Sequence, residues 1–187
     1  PVSRRVASLT LDNLDDLPRR CRRCVFWELD PVAGEAAAEA GDRELEKEAW
    51  LSATLLDWGS CGKIAYVDSL PAGYLTYAPP AHVPRSLAFP TSPVSGDAVL
   101  LMTATVLPEF REGGLARVLV QTVAKDLTRR GVRAIEAFGR DGLPKKTLYL
   151  VAFNQADVFG TSPGPRDKVL VDIYDHWLER TALGGGR

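Results

Sequence analysis

The sequence predicts an α/β fold of the α+β type, with one mixed sheet carrying helices. Three observations predict it. Ala98 to Arg130 (AVLLMTATVLPEFREGGLARVLVQTVAKDLTRR) reads as an apolar strand, a tight two-glycine turn and an amphipathic helix. Residues 62–68 (GKIAYVD) and 72–78 (AGYLTYA) are β-rich runs joined by a short turn, the pattern of an antiparallel hairpin. The periodic segments follow one another as β-α-α-β-β-β-α-β-α-β-β, and such alternation builds layered sheets with helices.

Arg4 to Leu11 (RRVASLTL) alternates as a first strand does. Asp12 or Asn13 can cap a short helix to Leu17, which Pro18 ends. Arg19, Arg20, Arg22 and Arg23 then crowd together, either an anion contact or a solvated face. Pro31 to Gly41 is Ala- and Glu-rich and is expected to be a loop. Asp42 to Asp57 is the next helix, with Leu45, Ala49, Ala53 and Leu56 at spacings of three and four. The hairpin follows, its turn expected around Ser69 to Pro71.

Residues 79–95 contain Pro79, Pro80, Pro84, Pro90 and Pro93, so they form neither a regular helix nor a central strand. A connection this long in a compact domain is often functional. It is expected to be either a wall of a binding site or an excursion that packs Leu87 and Phe89 on the body.

Ala98 to Val106 suits a strand covered on both faces, ended by Pro108. In the following helix Ala116, Leu119, Val120, Val123, Ala124 and Leu127 share one apolar stripe, and Gly131 supplies the stop. Val132 to Phe138 is a strand with Glu136 among apolar neighbours. Lys145 to Gln155 (KKTLYLVAFNQ) is expected to be a last helix, with Leu148, Val151 and Ala152 on one face. Two closing strands are expected at 158–160 and 168–174, and a short helix at 176–183. The expected organisation is one domain over residues 1–183 with a disordered tail at 184–187.

With 23 Lys and Arg against 24 Asp and Glu, the chain is near neutral, unlike a dedicated nucleic-acid binder. No apolar run reaches the roughly 18 residues of a membrane span. No apolar stretch near the start resembles a signal peptide, so a cytoplasmic location is expected. Cys21 and Cys24 form C-x-x-C, which invites a zinc or redox role. A zinc site needs about four ligands, and only Cys61, His82 and His176 remain, far apart in sequence. No metal is therefore expected, and small buried hydrophobes are the alternative. His82 and His176 are expected at the surface.

A glycine turn feeding a helix exposes N–H groups that lack intrahelical partners, and these favour an anion such as phosphate. Gly113 and Gly114 permit close approach, and Arg111 and Arg117 add positive charge. A tight connection with no ligand is the alternative. There is no Gly-Lys-Ser/Thr and no G-x-G-x-x-G after the first strand, so neither better-known phosphate loop is present. Val106-x-Pro108-x-x-Arg111-x-x-Gly114-x-Ala116, between an apolar strand and an amphipathic helix, resembles the acyl-CoA loop of the GCN5-related N-acetyltransferases (GNAT). That loop is written Arg/Gln-x-x-Gly-x-Gly/Ala. Glu112 departs from it, since many members carry glycine there. Residues 20–28 and 79–93 also resemble an actinobacterial subgroup of the family.

The resemblance implies a GNAT-like acyl-CoA N-acyltransferase fold whose strands splay at the CoA loop. It implies acetyl-CoA as cosubstrate, held by Val106, Leu107, Arg111, Gly113, Gly114, Leu115, Ala116 and Arg117. It implies transfer of acetyl to a primary amine, either a protein lysine or a small molecule. The region of Trp27 and Glu28 borders the acceptor pocket in that family, so these two are candidate substrate contacts; core packing is the alternative for Trp27. Many relatives place a glutamate base on the strand before the loop, but Ala98 to Val106 holds no acidic residue. Glu136 on the next strand is the candidate base, since a carboxylate buried there would be held closer to the neutral form it must reach. A solvent-facing glutamate paired with Arg133 is the alternative. Tyr149 is the candidate acid for the departing thiolate, from its place in the last helix. A non-catalytic acyl-CoA-binding regulatory domain is the competing function.

Overall fold

Among the described residues, six strands form one sheet in simple sequential order. They are β1 (Arg4–Ser8), β2 (Gly62–Val67), β3 (Leu70–Ala78), β4 (Ala98–Val106), β5 (Ala134–Arg140) and β6 (Lys146–Ala152). The computed structural model describes residues 2–89, 92–140 and 146–152, with residues 139, 140 and 146–152 described by backbone alone. Every described pairing is antiparallel except β4 with β5, which is parallel. A parallel pair needs a crossover, and α4 (Leu115–Arg129) supplies it. Three helices lie between β1 and β2: α1 (Arg19–Arg22), α2 (Pro31–Ala40) and α3 (Arg43–Asp57).

The sheet is buried on both faces. On one, Leu115, Leu119, Val123 and Leu127 of α4 pack against Leu75, Tyr77, Val99, Leu101, Ile135 and Ala137. Burying each such aliphatic side chain contributes about 1.5–3 kcal/mol. On the other, Leu14, Leu17, Cys21, Trp50, Leu51, Val83, Phe89 and Val94 pack against Ile64, Leu100, Met102 and Phe138. The Pro-rich connection belongs to this second layer. It turns through 3-10 segments at Pro80–His82 and Pro84–Ala88. Its first part is pinned to α3: the Trp50 indole N–H donates to the His82 carbonyl at 2.7 Å, and His82 Nε2 lies 2.9 Å from Asp57 Oδ2.

Three elements differ from expectation. Residues 31–40 are a helix, not a loop. The Asp30 carboxylate accepts from the N–H groups of Val32 and Ala33 (2.8 and 2.9 Å), Pro31 opens the first turn, and Gly41 closes it at φ 81°. Only Ala37 of this helix is buried, so no apolar period marks it. The hairpin turn sits at Asp68 and Ser69, both at positive φ (46° and 70°), one step earlier than expected. The expected helix over 145–155 is, at Lys146–Ala152, strand β6 along β5. Its short run of Thr, Leu, Tyr and Val fits either period, and pairing with β5 decides it. The strands, helix and tail expected beyond residue 152 lie outside the described residues.

Candidate functional site

The parallel ladder between β4 and β5 is short. It runs from Ala98 opposite Ala134 to Leu101 opposite Ala137 and stops. Both strands continue, β4 to Val106 along β3 and β5 to Arg140 along β6. Strands that keep their outer partners while losing each other diverge, so a split opens from Met102 and Phe138 onward. A bulge marks the same point. Thr76 pairs with Thr103 and Tyr77 with Leu101, leaving Met102 as the extra residue. Such an insertion bends and twists its strand. Burial follows the geometry: β4 is buried from Ala98 to Met102 and half-buried from Thr103 to Val106. Beyond the ladder, alternate main-chain groups of residues 102–106 face the split. On the other edge β3 closes in tightly, since a Cβ on Gly73 would lie 2.7 Å from the Thr105 carbonyl oxygen.

The loop to α4 leaves the open end of β4. The Leu107 N–H donates to the Ala72 carbonyl at 2.9 Å, and the Arg111 Nε donates to the Val106 carbonyl at 3.2 Å. These two expected main-chain contacts are therefore engaged in shaping the loop. Glu112 takes φ 66° and Gly114 φ 72°, both left-handed. Glycine suits that region; an ordinary residue there costs about 1–2 kcal/mol. The Arg4 guanidinium reaches across from β1 and donates to the Gly113 carbonyl at 2.9 Å. With that carbonyl held back, α4 begins at Leu115 with Gly114 as its cap and no acidic residue in its first turn. A Cβ built on Gly114 meets nothing within 4 Å, so the space before the helix is open. The N–H groups of its first turn have no intrahelical acceptors and carry the positive end of the dipole. Arg111 and Arg117 are both exposed beside this opening.

On the other face of the sheet, aromatic rings gather at the start of the split. Phe138 directly follows Ala137, the last residue of β5 that pairs with β4. Its ring stacks on Phe89 (centroids 4.5 Å apart) and on Trp27 (5.6 Å), and Trp27 stacks on Phe89 (5.3 Å). Phe26 meets Trp27 edge-on at 5.0 Å, and the Arg85 guanidinium lies 4.5 Å above the Phe26 ring. Glu28, expected as a substrate contact, is buried. One of its oxygens pairs with buried Lys47 and the other accepts from the Trp27 N–H at 3.1 Å. Lys47 also donates to the Cys24 carbonyl at 3.1 Å. Glu28 thereby fixes the segment that presents Trp27.

Glu136 lies opposite Leu100, one position inside the end of the β4–β5 ladder, and is 1% exposed. Its Oε1 accepts from the Ser95 N–H at 3.1 Å, which ties the Pro-rich connection to β5. Its Oε2 is buried and has no hydrogen-bond partner among the described residues. Arg133 instead faces Asp97 at 3.9 Å on the surface. Tyr149 pairs with Ala137 in the β5–β6 ladder, one step out of register with Glu136, which pairs with Leu150. Its expected role rested on a helix, and the backbone there is a strand.

Cys21 is buried and Cys24 exposed. Tyr74, opposite Thr105, is buried, and that burial raises its phenol well above the usual range. Cys61, fully buried, has its thiol pushed up to about 12 by desolvation. His82 is half-buried against α3 rather than at the surface, and His176 lies outside the described residues. Sequence reasoning missed Arg4, Lys47, Ser95 and Arg85. Each acts across a long sequence separation, and none stands in a motif.

A sheet that splits beside a helix N-terminus is the α/β architecture that the resemblance of the 106–116 loop implied. Comparison with solved structures makes it specific: the chain has the fold of the GCN5-related N-acetyltransferases. The PaiA N-acetyltransferase from Thermoplasma acidophilum, in complex with coenzyme A, superimposes with a TM-score of 0.52 at 11% identity, over 81% of this chain and 99% of that one. An aminoglycoside N-acetyltransferase in complex with CoA matches at TM-score 0.48 and 16% identity, over 100% and 90% of the two chains. The fold assignment rests on the first of these. No protein-family model matches the chain, and no curated protein matches it in sequence. Among the described residues no helix is long and apolar enough to cross a membrane.

Proposed function

We propose that this chain is an acetyl-CoA-dependent N-acetyltransferase that moves the acetyl group to a primary amine. The observation that carries the proposal is the open glycine-capped N-terminus of α4 lying at the mouth of the β4–β5 split. Pyrophosphate fits the N–H groups of residues 114–117, with Arg111 and Arg117 adding charge. The pantetheine arm then runs along residues 102–106 of β4 and delivers the thioester to the apex of the split.

There the acceptor nitrogen bonds to the thioester carbonyl carbon, the carbon–sulfur bond breaks, and the amine gives up a proton while the thiolate takes one. Glu136 is the base of this reading. Ser95 fixes one of its oxygens, and the second, buried and unpartnered, suits a water that relays the amine proton. Trp27 borders the acceptor, with Glu28 and Lys47 holding it in place. Tyr149 stays the candidate proton donor, to be judged by its variant. The acceptor is a protein lysine or a small amine, and the reaction belongs to the cytoplasm, where three free thiols persist.

A second reading is an acyl-CoA-binding regulatory domain without turnover. The absence of a carboxylate on β4 favours it. Release of CoA, followed with a thiol reagent over lysine peptides, polyamines, aminoglycosides and amino acids, separates the two. Acceptor-dependent release supports the enzyme. Tight acetyl-CoA binding with no release for any amine supports the binding domain.

A further inference from the structure

The walls beside the apex of the split are aromatic and cationic. From Phe138 the rings step outward through Phe89 and Trp27 to Phe26, which is 39% exposed, and end under the Arg85 guanidinium. Arg85 is half-buried and has no carboxylate partner among the described residues. Arg20 and Arg23, in the segment leading to Phe26, are exposed. Among the described residues, Glu28 is engaged with Lys47, Asp30 caps α2, and one oxygen of Glu136 accepts from the Ser95 N–H. A polycationic acceptor needs free carboxylates, whereas this row offers it rings and positive charge. Glu136 Oε2, unpartnered among the described residues, lies on the same face of β5 as Phe138, so the base of the acetyl-transfer reading sits at that end.

We propose, building on the acetyl-transfer reading, that the acceptor is an extended amine with an apolar or aromatic body and a carboxylate at its far end. The amine lies at the apex by Phe138, the body lies along Trp27 and Phe26, and the carboxylate meets Arg85. Guanidinium binds carboxylate through paired charge-assisted hydrogen bonds, and the ring platform favours flat or apolar surface.

The test compares 4-(aminomethyl)benzoate, its neutral carboxamide and spermidine as acceptors, with acetyl-CoA affinity measured by calorimetry in parallel. The expected result is kcat/KM about tenfold or more higher for the carboxylate than for the carboxamide, expressed mainly in KM. Arg85→Gln should abolish that ratio by lowering the carboxylate value alone, and Arg85→Lys should restore part of it. Faster turnover of spermidine, equal turnover of the two benzyl probes, or an equal loss for both in Arg85→Gln overturns the proposal. So does acetyl-CoA binding without turnover of any probe. Failure of wild type to bind acetyl-CoA is a different outcome and removes the acetyltransferase reading itself. Melting temperatures of the variants separate a lost contact from a loosened connection.

Discussion

Gly114→Val tests the anion site with two magnitudes that can be separated. The residue sits at φ 72°, so a β-branched side chain pays a left-handed backbone penalty of about 1–2 kcal/mol. No atom lies within 4 Å of the new Cβ, so no clash adds to it. For a chain of this length each kcal/mol lowers Tm by about 2–4 °C, giving an expected fall of about 2–8 °C. The binding loss is independent of this strain. The valine projects into the open space before α4, where it displaces an anion from the first-turn N–H groups. One or two lost hydrogen bonds to a charged group cost about 1.5–3 kcal/mol each, so Kd for acetyl-CoA should rise at least tenfold. Thermal melts and calorimetry on the same preparation read both quantities. A lowered Tm with unchanged Kd would show that the pyrophosphate does not use this helix.

Four further outcomes are expected. Glu136→Gln keeps the acceptor for the Ser95 N–H but cannot take a proton, so kcat should fall by about 10²–10⁴ and recover partly at high pH, where free amine is plentiful; Tyr149→Phe should slow thiolate departure. In both variants acetyl-CoA affinity should stay near wild type, and wild-type rates would remove these roles. Arg4→Ala releases the Gly113 carbonyl, so Kd for acetyl-CoA should rise several-fold with kcat unchanged; an unaltered Kd would make the tether incidental. Elemental analysis should find no stoichiometric metal, and one zinc per chain lost in Cys21→Ser or Cys24→Ser would reverse the account of C-x-x-C.

What could be read from the sequence followed from how local the signals are. Ala98 to Arg129 announces itself because strand, glycine turn and helix each carry one clear period within a few residues. Glu136 stood out as one acid in an apolar strand, and its burial agrees with that. The helix at 31–40 was hidden because capping holds it, while only Ala37 faces the core. Residues 146–152 were misassigned because a short apolar run obeys both periods until a neighbouring strand selects one. The bulge at Met102 leaves no mark in composition, although it sits where the split begins. Arg4 lies 109 positions from the glycine it holds. The position of Glu112 was legible in an unexpected way: glycine is common there among the proteins it resembles, and the backbone is left-handed.

The central claim is that the α4 N-terminus and the β4–β5 split together form one acyl-CoA site. A crystal structure of the chain with CoA tests it most directly. The account predicts pyrophosphate oxygens within hydrogen-bonding distance of the N–H groups of residues 114–117, and the pantetheine arm between β4 and β5 with its sulfur near Met102 and Phe138. CoA bound on another surface, with the split closed and the helix N-terminus bare, would contradict it.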